Sequence, residues 1–247
     1  LFAHLARSSK LDATRQNAQL QFAFSLQSAK LGLTAIRVFN DAARFPLAQI
    51  DAQARYLLGA MASDNNQPAV AARYWQGLGV PPTLEPDEWR IQLASVLVRA
   101  GAAEPGAAVL RALVAGRKTL PADVVQRALA TVQLLQDAGS AKSAGELYRA
   151  LLPLAAARER RDILFALARS AESAGDFKNA ADYFLEAALL LESRPPDTLA
   201  INARIGAAAS LARAGFRDDA RVHLEWLRNN VKDAEKLEVI RREMQRP

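Results

Sequence analysis

Few residues in this chain have the chemistry of a catalyst. Two histidines, His4 and His223, and no cysteine occur among 247 residues. The missing cysteine excludes a disulfide framework, a thiolate metal site and a cysteine nucleophile. Neither histidine is read as part of a metal set or a catalytic group. Asp218 and Asp219 stand near a helix start, where negative charge complements the helix dipole. They are read as capping residues rather than an acid–base pair. No phosphate-binding glycine loop, dinucleotide-binding glycine pattern or G-x-S-x-G elbow occurs. The chain is therefore expected to bind rather than catalyse, with no cofactor and no metal.

The charge balance points the same way. A net charge of +6 and a pI near 9.9 suit a nucleic-acid surface only if the cations cluster. Here arginines are scattered along the chain among carboxylates, as in Arg158-Glu159-Arg160-Arg161-Asp162. The densest basic spot, Arg241-Arg242 with Arg246, lies beside Glu235 and Glu238. These are the marks of solvated helix faces, and nucleic acid is not the expected partner. Charged residues interrupt every apolar run well before the ~18 residues of a membrane span. No charged-then-apolar signal pattern follows Leu1.

The elements that must position any binding residues are legible as a repeat. Alanine makes up about a fifth of the chain, and its high helix propensity and small side chain favour closely packed helices. Gly101, Gly139, Gly175 and Gly215 recur at spacings of 38, 36 and 40 residues. Asn66 and Lys30 continue the series backwards in steps of 35 and 36. Five residues after these points stand Ala35, Ala71, Gly106, Ala144, Ala180 and Ala220. Nine after stand Phe39, Trp75, Leu110, Tyr148, Phe184 and Leu224, and twelve after Ala42, Leu78, Leu113, Leu151, Ala187 and Leu227. Steps of four and three place these residues on one helix face. Seven before the turns come Ala23, Gly59, Ala94, Val132, Ala168 and Ala208. Each unit thus reads as helix A, a tight left-handed turn, and helix B, followed in all but the last by a proline at Pro46, Pro81-Pro82, Pro121, Pro153 or Pro195-Pro196. Pro105 fits only within the first turn of its helix.

A helical pair with a small residue in helix A, Gly at the turn, Ala–aromatic–Ala in helix B and a closing Pro resembles the tetratricopeptide repeat. The best match is Asp162 to Pro195, with Leu167-Ala168, Gly175-Asp176-Phe177, Ala180, Phe184 and Ala187. The resemblance covers approximately residues 12–46, 48–82, 87–119, 122–153, 158–194 and 197–230. It departs from the family in its longer spacings and in lacking the early helix-A tryptophan of most units. It implies an all-α fold over 1–247: a right-handed α-solenoid of stacked antiparallel helix pairs. The Lys-, Arg- and Glu-rich segment 231–246 is read from its polarity as a C-terminal capping helix, solvent-exposed or docked on the sixth unit through Val231, Leu237 and Ile240. Leu1 to Ser9 reads as the tail of a further helix B, as in a longer array.

The resemblance also implies that the helix-A faces line a concave groove for a peptide or partner segment. By offset from the turns, the candidate groove residues are Asn17, Phe24, Gln27, Gln53, Tyr56, Arg99, Gln133, Gln136, Phe165, Arg169, Asn202 and Arg213. Leu20, Ser63, Asp64, Glu88, Ile91, Ser95, Gln126, Leu129, Asp162, Glu172 and Ile205 share those offsets. Amide side chains suit the bare backbone of an extended ligand. Phe24, Tyr56 and Phe165 are its apolar anchors. No lysine occupies these positions, so the family's carboxylate clamp is absent. An array that binds envelope polysaccharide or nucleic acid is the alternative, but Trp75, Tyr148 and Phe184 fall in the core pattern. Self-association is left open. The Ala and Arg bias suggests a bacterial source, with the periplasm slightly favoured over the cytoplasm.

Overall fold

The computed structural model of the chain describes residues 1–191 and 196–245. Pro195 and Arg246 lie outside them, as does the end of the fifth expected repeat. The described residues form fourteen α-helices. After α1 (Phe2–Ser8) come six hairpins: α2 (Asp12–Ser28) with α3 (Gly32–Phe39), α4 (Ala52–Asp64) with α5 (Pro68–Trp75), and α6 (Pro86–Arg99) with α7 (Ala103–Val114). The next three are α8 (Ala122–Asp137) with α9 (Ala141–Leu151), α10 (Ala157–Ser173) with α11 (Phe177–Leu189), and α12 (Thr198–Arg213) with α13 (Arg217–Asn230). The last helix is α14 (Ala234–Gln245). The expected all-α architecture of antiparallel helix pairs is what the described residues adopt. It divides into two compact units, Leu1–Leu113 and Val114–Pro247.

All six turn positions lie in the left-handed region, with φ between 56° at Asn66 and 92° at Gly215. Each closes the same pair of hydrogen bonds. The turn residue's amide donates to the carbonyl three residues back, and the following amide donates to Leu26, Ala62, Leu97, Leu135, Ala171 or Leu211 at 2.8–3.0 Å. This Schellman arrangement satisfies carbonyls that a helix end would otherwise leave unpaired. Glycine enters that conformation without cost, whereas Lys30 and Asn66 hold it against their Cβ atoms.

The small residues on both sides of each turn are buried in all six hairpins, Ala23, Ala35, Ala71, Ala144, Ala168 and Ala180 completely. Their partners nine residues after the turn are buried as well. Where the small residue is glycine, the reason is direct. A Cβ on Gly59 would fall inside the Trp75 indole, and one on Gly106 would lie 2.6 Å from Val98 Cγ2. Pro105 is the third residue of α7, where its missing N–H leaves no helical bond unmade.

The register twelve residues after the turn holds in the last four hairpins and fails in the first two. Ala42 is exposed and Leu78 half-buried, because α3 and α5 have already ended at Phe39 and Trp75. After α3, the Asp41 carboxylate accepts from the amides of Ala43 and Arg44 and starts a new turn. That turn seats Phe45 against Phe39, ring centroids 4.6 Å apart, in place of the expected alanine. After α5, Gly77 adopts φ 72° and diverts the chain. Arg55 caps the shortened helix, donating to the carbonyls of Tyr74 and Gln76.

In the second unit the buried Arg161 guanidinium forks onto both carboxylate oxygens of Asp197, each at 2.6 Å, while its Nε donates to the Ala187 carbonyl. Asp197 is also the N-cap of α12, accepting from the Ala200 amide. One ion pair thus ties α10, the end of α11 and the start of α12 together. The helix expected from residue 231 starts at Ala234, Val231 being the C-cap of α13, and Leu237 and Ile240 of α14 pack in one cluster with Val231 and Leu227. Trp226 packs in the same cluster, with the Arg204 guanidinium 3.7 Å from its ring centroid. No helix among the described residues is long and apolar enough to cross a membrane.

Candidate partner-binding grooves

Within the first unit, the helix-A faces of α2 and α4 meet the segment 78–83 around a cavity of about 280 Å³. Leu20, Phe24, Gln53, Tyr56 and Leu57 form two walls, and Leu78, Val80, Pro81 and Pro82 form the third. No charged residue lines it. Phe24 is 52% exposed, high for a large apolar side chain. Tyr56 is held from behind: its ring stacks on Trp75 at 6.0 Å and meets the edge of Trp89 at 6.0 Å. The Trp75 indole N–H donates to the Tyr56 carbonyl at 3.0 Å. Burial first, then the charges of Glu88 and Asp64, push the Tyr56 phenol up, so it stays a neutral donor and acceptor. This ring is therefore an apolar contact of fixed position with one polar edge.

The second unit has a groove of different character. Phe165 and Arg169 of α10 face Asn202, Ile205 and Arg213 of α12 across about 470 Å³, and Lys236 and Val239 of α14 close one side. Its floor is the edge-on pair Phe165–Phe184, with centroids 5.3 Å apart. Gly206 makes room for that floor, since a Cβ there would lie 2.9 Å from the Phe184 ring. Arg213 bonds Glu172 at 2.9 Å, and Lys236 Nζ donates to Thr198 Oγ1 at 3.3 Å.

Of the twelve sequence-derived positions, the structure thus gathers Phe24, Gln53 and Tyr56 in one groove and Phe165, Arg169, Asn202 and Arg213 in the other. The remaining five stand apart from both. Asn17 and Gln27 are exposed on α2. Arg99 donates to Asn66 at 2.8 Å. The Gln133 amide donates to Asp137 at 2.8 Å and accepts from the Tyr148 hydroxyl at 3.2 Å, so it is committed within its own hairpin. Burial, then the Asp137 charge, pushes that Tyr148 phenol up to about 12. Gln136 lines a separate depression between α9, α10 and α11, beside Lys142, Arg149, Asp176 and Tyr183. Ile91, expected on a groove face, is instead buried, only 6% exposed.

Sequence offsets missed the 78–83 wall and the contributions of α14. Prolines 81 and 82 were legible only as a helix stop, and Lys236 lies outside the repeat register altogether. His223, read from the sequence as neither a metal ligand nor a catalytic group, has Asp219 one helical turn before it on α13. Burial and then the Arg204 charge nevertheless push the imidazole below its ordinary value, against the opposing pull of Asp219. No group of three or more His, Asp or Glu among the described residues is arranged to hold a metal ion.

No family model matches the chain, and no curated protein matches it. Similar solved structures include TPR-like repeats of a kinesin light chain from Podosopora anserina, 15% identical, covering 97% of this chain and 100% of that one with a TM-score of 0.45. The apo quorum sensor NprR of B. thuringiensis is 9% identical, covers 98% of this chain and 72% of that one, and has a TM-score of 0.41. The RpL4 assembly chaperone Acl4 is 17% identical over 91% of this chain and 94% of that one, with a TM-score of 0.38.

Proposed function

We propose that this chain is a non-catalytic scaffold that binds a peptide or partner segment on its helix-A faces. The observation that carries this reading is the uncharged cavity of the first unit, with Tyr56 fixed by two tryptophans and Phe24 left half in water. Aromatic anchors in a desolvating pocket dominate binding energy at protein interfaces, and a ring immobilised beforehand loses little entropy on binding. Gln53 at the rim supplies a donor and an acceptor for the ligand backbone. The burial of Trp75, Tyr148 and Phe184 weighs against a polysaccharide track, which needs rings exposed in series.

Peptide-display selection on the wild-type chain tests the reading, with Phe24→Ala/Tyr56→Ala as the counter-target. Enriched peptides are expected to share an apolar anchor and to bind the double variant at least about tenfold more weakly, the scale of a lost aromatic hot spot. Peptides that bind both proteins equally, or no enrichment at all, contradict it.

A further inference from the structure

The two grooves differ most in charge. The cavity of the first unit is lined by no ionised side chain, whereas three cations and one carboxylate line that of the second: Arg169, Arg213 and Lys236 against Glu172. Two of the cations are engaged, Arg213 with Glu172 and Lys236 with the neutral Thr198 hydroxyl. Arg169 is exposed and has no ion-pair partner among the described residues. The cations come from three different helices, α10, α12 and α14, and converge over an aromatic floor.

We propose that this second groove binds an acidic peptide segment, in which side-chain carboxylates alternate with apolar residues. The proposal rests on the partner-binding reading and adds the chemistry of one partner. A carboxylate opposite Arg169 gains a bidentate, charge-assisted pair that nothing in the free protein supplies. A second meets the Lys236 ammonium, which donates to the uncharged Thr198 hydroxyl. Apolar side chains of the same segment cover Phe165, Ile205 and Val239, the last of them 42% exposed. A carboxylate, Glu172, stands among the three cations of this cavity, where it would repel a phosphate. That carboxylate, together with the aliphatic Ile205 and Val239 beside the Phe165–Phe184 pair, favours a peptide with apolar side chains over a nucleic acid, which wants cations along its backbone and stacking rings in series.

The test is fluorescence anisotropy of the full chain with a dye-labelled, C-amidated peptide, Glu-Leu-Glu-Phe-Glu-Leu-Glu, and its Gln-for-Glu counterpart. Amidation removes any contribution from a chain terminus. The Glu peptide is expected to bind at least about tenfold tighter than the Gln peptide, and Arg169→Glu and Lys236→Glu each to weaken it by about that factor. Arg221→Glu, the same charge change at an exposed site on α13 outside the groove, is expected to keep wild-type affinity. Circular dichroism confirms that each variant is folded. Equal affinity for the two peptides, no binding of the Glu peptide, or an equal loss in Arg221→Glu overturns the proposal. Displacement of the bound peptide by a short oligothymidylate at lower concentration than by unlabelled peptide also overturns it, in favour of nucleic acid. None of these outcomes touches the display selection against Phe24 and Tyr56, so the broader reading stands or falls separately.

Discussion

Lys30 and Asn66 occupy turn positions that the other four hairpins give to glycine, and both carry a positive φ. A side chain in the left-handed region costs roughly 1–2 kcal/mol, and glycine returns part of that gain through its greater freedom when unfolded. Lys30→Gly is therefore expected to stabilise the chain by about 1 kcal/mol, read as a higher Tm in thermal denaturation; an unchanged or lower Tm contradicts the turn geometry. Asp197 sets a second residue-scale expectation. The hydrogen bonds from Arg161 hold its carboxyl at about 2, below the ordinary 3.8. A depressed carboxylate contributes stability that is present above its unfolded pKa and lost as pH falls through the folded one. The Tm gap between wild type and Asp197→Asn should thus be full at about pH 5 and close as pH drops from about 4 to about 2. Because Arg161 is buried and Asp197 half-exposed, most of that gap reflects a guanidinium left without its partner.

At the scale of elements, the hairpins were legible because two local rules coincide in each of them. Small residues at fixed offsets let helices approach closely, and a left-handed residue ends helix A. Both rules act within about twenty residues, so the sequence pattern carries them even where the turn residue is Lys or Asn. What was not legible depends on longer-range contacts. The early ends of α3 and α5 come from an Asp41 turn, from Gly77 and from Arg55 reaching across to α5, and none of these disturbs the periodicity before it. Ala144 and Ala180 test the packing register most severely, since both are completely buried between helices. Ala144→Trp or Ala180→Trp is expected to cost about 1–3 kcal/mol or more through overpacking, measured by urea denaturation. Wild-type midpoints in both variants contradict the register.

For the molecule as a whole, the sequence places the binding residues on the helix-A faces, and the structure gathers seven of the twelve into two grooves of unlike chemistry, leaving five outside both. Phe24, Tyr56, Phe165 and Arg169 could be placed by counting from the turns. The walls that make cavities of them could not, because Val80 and Pro82 belong to an irregular segment and Lys236 to a helix beyond the last repeat. A net charge of +6 spread over the chain says little about either groove; only the positions of Arg169, Arg213 and Lys236 distinguish them. The claim on which the functional account depends is that the helix-A side of the first unit is where a partner sits. The most direct measurement is an NMR titration of the isotope-labelled chain with a display-selected peptide. The account predicts shift changes concentrated at Phe24, Gln53, Tyr56 and Val80. Changes centred instead on exposed helix-B residues such as Leu33, with the Tyr56 signals unmoved, would contradict it.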